Sequence, residues 1–155
     1  MKVIIAGSRS IVDYDLLVKV INQLNWKITE VVSGGAYGVD KLGIRYAKEN
    51  NVECTMFLPD WDTHGKKAGI LRNKAMVEYA DALIALWDGE SKGTQFTIDY
   101  AKQNKLIVHV HNTLSEKVKQ NFKESEAREQ QCPPEFEKSF RKHRFELFAR
   151  SENDK

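Results

Sequence analysis

The chain is poor in the residues that mark several protein classes. It has two cysteines in 155 residues. Cys54 and Cys132 form no metal-ligand spacing and no disulfide framework, so a small oxidised scaffold is excluded. No apolar run approaches the ~20 residues of a membrane span. The apolar core Val3–Gly7 is too short for a secretory leader. There is no excess of either charge: 24 Lys and Arg face 22 Asp and Glu, a formal net charge of +2. Nucleic-acid binding by bulk charge is thereby excluded, although a local basic patch is not. Repeats and low-complexity tracts are absent. The expectation is a reduced, cytoplasmic protein with no membrane contact.

What remains is ordinary for a globular domain, with 41% hydrophobic and 30% charged residues. The charge is uneven along the chain. Residues 112–155 carry charge at 19 of 44 positions, against 27 of 111 before them, so a composition boundary falls after residue 111. We expect a compact domain over 1–111 and a charged helical extension over 112–155. Within the extension, Cys132-Pro133-Pro134 separates two helical candidates, Ser115–Gln130 and Pro134–Arg150. Phe136, Phe140, Leu147 and Phe148 share a face of the second, which fits packing on the domain or a homo-oligomer contact.

Five short apolar or β-branched runs punctuate the domain: Lys2–Ala6, Glu30–Ser33, Glu53–Phe57, Ala82–Leu86 and Leu106–Val110. Such continuous runs predict strands buried on both faces. Helical spacing lies between them. Leu16, Leu17, Val20, Ile21 and Leu24 form one set. Val39, Leu42, Tyr46 and Ala47 form the next, Ala68, Leu71, Ala75 and Tyr79 a third, and Phe96, Tyr100 and Ala101 a weaker fourth. Strands alternating with helices predict an α/β fold, Rossmann-like and doubly wound, with a five-stranded parallel sheet. Ligands of such folds bind at the carboxyl ends of the strands.

The loops expected at that edge are rich in anion-binding features. Gly7, Ser8 and Arg9 follow the first strand. Ser33, Gly34, Gly35, Ala36, Tyr37, Gly38, Val39 and Asp40 follow the second and open a helix, whose N–H groups and dipole favour a phosphate. Asp40 could orient that loop or accept from a sugar hydroxyl. The third loop, Leu58–Gly69, holds Trp61, able to stack on a base, and His64. Asp60, Asp62 and His64 together resemble part of a metal set, but no second cluster completes it, and no metal or other cofactor is expected. Arg72 and Asn73 follow on the next helix, Arg72 suited to a phosphate or carboxylate. The fourth loop runs from Trp87 through Asp88 and Glu90 to Gly93 and Thr94, where a second helix start offers an anion site. Neither the dinucleotide G-x-G-x-x-G fingerprint nor a Walker A sequence is present. Two helix starts on one edge point to a ligand anchored by phosphates at both ends, or to a phosphoribosyl group held between loops.

Taken together, Gly7–Ile11 (GSRSI), Ser33–Asp40 (SGGAYGVD), Asp60–Asn73 (DWDTHGKKAGILRN) and Ala80–Thr94 (ADALIALWDGESKGT) resemble the SLOG superfamily, in its YspA/YpsA-related branch. The resemblance covers about residues 2–110. It implies a Rossmann-like fold and a nucleotide or nucleotide-derived ligand. Related families include Lonely Guy phosphoribohydrolases, DNA-processing protein A and sensor domains for ADP-ribose-derived signals. Arg72 matches the arginine of the hydrolase pattern. The hydrolase acid that follows Gly-x-Gly-Thr has no counterpart after Gly93-Thr94, where Gln95-Phe96-Thr97 stand. A base-releasing hydrolase needs a carboxylate at the sugar. Here Asp60, Asp62, Asp88, Glu90 or Asp99 would have to supply it from elsewhere. The reading is therefore a binding protein, a sensor or sequestering module for a phosphate-bearing, nucleotide-derived small molecule. The alternatives are an N-glycosidic hydrolase and, because the net charge is nearly zero, a less favoured single-strand DNA binder.

Overall fold

The protein is described from a computed structural model over residues 1–114. Five strands form one parallel sheet: β1 (Lys2–Gly7), β2 (Glu30–Ser33), β3 (Glu53–Met56), β4 (Ala82–Trp87) and β5 (Ile107–Asn112). Their order is β3-β2-β1-β4-β5. The chain therefore builds outward from β1 to one edge, then returns to β4 and builds toward the other. All five strands and the α/β class follow the sequence expectation, with ends shifted by one or two residues. Both helical candidates of the charged extension, and its phenylalanine face, lie outside the described residues. Among the described residues no helix is long and apolar enough to cross a membrane.

Strand alternation divides the core into two layers. Val3 and Ile5 of β1, with Ala82, Ile84 and Leu86 of β4, face α1 (Tyr14–Leu24) and α2 (Val39–Glu49). Ile4 and Ala6, with Leu83 and Ala85, face α4 (Ala68–Tyr79) and α5 (Lys92–Gln103). The central residues Val3, Ile4, Ile5, Leu83 and Ile84 are completely buried. Each such side chain contributes about 1.5–3 kcal/mol by leaving water.

The outer strands depart from the expectation of burial on both faces. Glu53 and Met56 of β3 are exposed, and Ile107 of β5 is 53% exposed. Both are edge strands, with less of the molecule to cover them. Their sequences carry that difference, Glu53 and Thr55 in β3 and His109 and His111 in β5 standing where β4 is apolar throughout.

Two helical assignments also differ. The third loop contains α3 (Trp61–His64) and a 3-10 turn, Gly65–Lys67. Asp60 caps α3 by accepting from the Thr63 N–H at 3.1 Å. In α4 the buried residues are Ala68, Met76 and Val77, whereas Leu71 and Tyr79 are 41% and 37% exposed. The inward stripe of α4 runs through Arg72, Asn73, Met76 and Val77, so polar residues occupy positions where an apolar period would place leucine.

One carboxylate in the sheet has no signal in the strand pattern. Glu30 is buried, and accepts from Thr55 Oγ1 at 2.6 Å and Tyr79 Oη at 2.7 Å. These two bonds hold its carboxyl below the usual range and join β2 to β3 and to the end of α4.

The approach of β1 to β4 depends on Gly7. A Cβ at that position would overlap the Leu86 carbonyl oxygen and lie 2.7 Å from Val39 Cγ2. The same carbonyl accepts from the Ser8 N–H at 3.0 Å. Gly7→Ala is therefore expected to destabilise the fold by about 3 kcal/mol, since backbone rather than a flexible side chain must give way. Urea denaturation of the two proteins measures this; an unchanged midpoint would refute the steric argument.

Candidate functional site

The change of direction in strand order, between β1 and β4, makes the loops after those strands diverge. A cleft opens there, as expected where an open α/β sheet reverses its winding. It has a volume of about 100 Å³. Ala6, Gly7 and Arg9 line it from the end of β1, and Ala36 and Asp40 from the β2 loop and α2. Arg72, Asn73 and Met76 come from α4, and Ser91, Gly93, Thr94 and Thr97 from the start of α5.

Eight of the residues singled out in the sequence thus meet in one place: Gly7, Arg9, Ala36, Asp40, Arg72, Asn73, Gly93 and Thr94. Four others lie behind the lining and hold its loops. Ser8 is buried, and its hydroxyl accepts from the Asp88 N–H at 3.0 Å. Asp88 in turn accepts from the Glu90 and Ser91 N–H groups, each at 2.9 Å, and from Ser10 Oγ at 3.2 Å. Those two backbone donors, with help from the Ser8 and Ser10 hydroxyls, hold its carboxyl at about 2. Ser33 is fully buried; its hydroxyl donates to the Asp40 carbonyl at 3.0 Å and accepts from the Gly35 N–H at 3.2 Å. At Gly34 a Cβ would overlap the Arg72 guanidinium and come within 2.9 Å of Asp40 Oδ2.

Gly35, Trp61 and His64 are not part of the lining. Gly35 has φ +70°, and a Cβ there would lie 3.2 Å from Met56 Cε and 3.3 Å from Leu58 Cδ2. Trp61 is 55% exposed. Its ring lies against Gly69, at 3.6 Å from where a Cβ would be, one helical turn from Arg72. His64 is exposed on α3. The alternative carboxylates Asp60, Asp62, Glu90 and Asp99 also stand outside the lining, and Asp99 is engaged by Gln95 Nε2 at 3.0 Å.

The lining residues that sequence reasoning missed are Ala6, Met76, Ser91 and Thr97. Helical spacing carried the signal for two of them: Met76 lies four residues from Arg72, and Thr97 three from Thr94. Ser91 is the N-cap of α5, which begins at Lys92 rather than at Gly93. The Ser91 hydroxyl accepts from Thr94 Oγ1 at 3.0 Å, and Thr97 Oγ1 donates to the Gly93 carbonyl at 3.0 Å.

Charge in the cleft is uneven. Asp40 is 5% exposed, and Oδ2 accepts from the Ala36 N–H at 3.2 Å. Burial pushes its carboxyl up, opposed by the Ala36 N–H, the Arg72 charge and the Gly7 and Gly34 N–H groups. Arg72 donates from Nη1 to the Gly34 carbonyl and from Nε to Asn73 Oδ1 at 2.8 Å. Burial lowers its pKa, Asp40 raises it and neighbouring Arg9 lowers it further. Among the described residues the one ion pair is the surface pair Arg45–Glu49 at 2.8 Å, so neither Arg9 nor Arg72 has a carboxylate at ion-pair distance. The cleft therefore presents two close cations beside a helix start, an arrangement suited to an anion.

Comparison with known proteins agrees with this architecture. The model of the YspA, cpYpsA-related SLOG family (YAcAr) matches residues 1–64. Gene 61 protein of Mycobacterium phage D29 is 36% identical over 112 residues, which cover 66% of this chain and 89% of that protein. The X-ray structure of DNA processing protein A from Streptococcus pneumoniae aligns with a TM-score of 0.59 at 20% identity, covering 70% of this chain. The matched region spans 49% of that longer structure. At such identity the likeness is one of fold.

The loop after β4 should show a pH signature. Asp88 ordinarily titrates near 3.8, and the fold holds it at about 2. Its stabilisation is complete above about pH 4 and disappears as the pH falls toward 2. Allowing for solvent screening of this partly exposed group, it contributes about 1 kcal/mol. Asp88→Asn is expected to lose that increment at pH 6 and to converge on the parent near pH 2. Denaturation midpoints across this range check it; a constant difference would refute the assignment.

Proposed function

From the premise that the chain belongs to the YspA, cpYpsA-related SLOG family, we propose that it binds a phosphate-bearing, nucleotide-derived small molecule at the β1–β4 cleft. It acts as a sensor or sequestering protein. The observation that carries this reading is the pair Arg9 and Arg72. Both line the cleft next to Gly93 and Thr94 at the start of α5, and among the described residues neither forms an ion pair, the Asp40 charge acting on Arg72 from beyond that distance. A phosphate there receives guanidinium donors and the positive end of a helix together. Trp61 stands outside the lining, its ring against Gly69 one helical turn before Arg72, and is our candidate for stacking on a base.

Binding is better supported than turnover. The carboxylates named as substitutes for the missing hydrolase acid stand outside the lining, or are used to hold a loop, as Asp88 is. Asp40 does line the cleft, but it already accepts from backbone N–H groups. The fold neighbour is named for DNA processing. A single-strand binder needs a basic groove with stacking aromatics, and this chain's formal charge is +2.

A panel of nucleotides added to the full chain should raise its melting temperature, because a ligand of the folded state stabilises it by mass action. The bound compound should be recovered intact after denaturation. Arg72→Ala should weaken binding by about 1.5–3 kcal/mol in calorimetry, the worth of hydrogen bonds to a charged group. No shift with any nucleotide would refute the proposal, and release of free base would replace it with hydrolysis.

Gly93→Ala separates binding from folding. Among the described residues, a Cβ at Gly93 meets no atom within 4 Å. The substitution should leave the fold as stable or add up to about 1 kcal/mol through helix propensity. The new methyl group would project from a lining residue, so affinity should fall while denaturation is unchanged or improved. Unaltered affinity would move the phosphate away from α5.

A further inference from the structure

The loop between β2 and α2 looks like a second anion receptor in sequence, but the chain's own groups fill it. The Gly35 N–H donates to Ser33 Oγ at 3.2 Å, and the Ala36 N–H donates to Asp40 Oδ2 at 3.2 Å. The Gly34 and Gly7 N–H groups also act on the Asp40 carboxylate, opposing the rise that burial gives its pKa. Arg72 lies beside the same carboxylate, fixed to the Gly34 carbonyl. Backbone donors gathered at a helix start with an arginine beside them make a seat for a phosphate. Here the seat holds a carboxylate from the first turn of that same helix, and it is 5% exposed.

Two consequences follow for a ligand. The Gly35 and Ala36 N–H donors of this loop are already engaged, and the negative charge of Asp40 repels a second anion brought to the same end of the cleft. We infer that Asp40 is a specificity-determining residue: it closes the β2-loop anion seat, so the cleft takes a ligand with phosphate at one end only, held by Arg9, Arg72 and the start of α5. This revises the expectation of a ligand anchored by phosphates at both ends. The inference rests on the proposed nucleotide reading for the ligand's identity, though not for the occupancy of the seat.

The test uses the full chain with AMP and adenosine 3′,5′-bisphosphate as calorimetric probes. A parallel measurement follows melting temperature in inorganic phosphate for the parent, Asp40→Asn and Asp40→Ser. The parent is expected to bind the bisphosphate less than fivefold more tightly than AMP. Asp40→Ser, by vacating the seat, and Asp40→Asn, by removing its charge, should each exceed that ratio and gain more in melting temperature from phosphate than the parent does. A parent ratio of fivefold or more overturns the inference, as does a folded variant with the parent's ratio and phosphate response. If neither variant folds, the parent ratio decides. If neither nucleotide binds, the nucleotide reading fails, and the phosphate response of the variants decides the inference alone.

Discussion

The buried carboxylate of Asp40 constrains most of the strand-end edge. It accepts from the Ala36 N–H, and the Gly34 and Gly7 N–H groups oppose the rise that burial gives its pKa. One side chain thereby ties the β2 loop to the first turn of α2. Ser33 closes the arrangement from below by donating to the Asp40 carbonyl. Above it, Arg72 reaches across to the Gly34 carbonyl from the opposite helical layer. An ionised group in so buried a place is costly unless donors surround it, and these donors are what hold the loop in shape. Gly34 has no side chain because the guanidinium and the carboxylate occupy that space.

A different device fixes the other half of the cleft. Asp88 gathers the Glu90 and Ser91 N–H groups, and its own N–H donates to Ser8. This sets Ser91 as the cap of α5 and presents Gly93 and Thr94 to the cleft. The two halves thus use carboxylates in contrasting settings. Asp40 is buried and shifted up by desolvation; Asp88 is nearer the surface and pulled down by hydrogen bonds. Sharing a strand-end location does not give them the same chemistry.

Much of this was legible in the sequence, for identifiable reasons. Central strands such as Ala82–Trp87 are apolar throughout because both faces are covered, whereas a strand with one wet face would alternate with polar residues. The glycine-rich turn and the Gly93-Thr94 helix start were visible because small residues and hydroxyls at those spacings have local causes. The inward face of α4 was hidden, since Arg72 and Asn73 stand where helical periodicity favours leucine, and Leu71 faces outward. Two roles for Asp40 are equally compatible with the sequence, because only three-dimensional distances show which donors reach it. Ser8, Ser33 and Asp88 look like ligand residues in sequence because the groups that suit a phosphate also suit a backbone turn.

The hydrogen bond from the Asp88 N–H to Ser8 joins residues eighty positions apart. It requires β4 to lie beside β1 in the sheet. A nascent chain that has emerged only through its first three strands owns the glycine turn and Asp40, yet has none of Arg72, Ser91 or Thr94. Pairings so distant in sequence are slow to close because loop entropy must be overcome first. The cleft is therefore complete only once the start of α5 has followed β4 into place, and it is lost whenever the sheet parts along the β1–β4 seam.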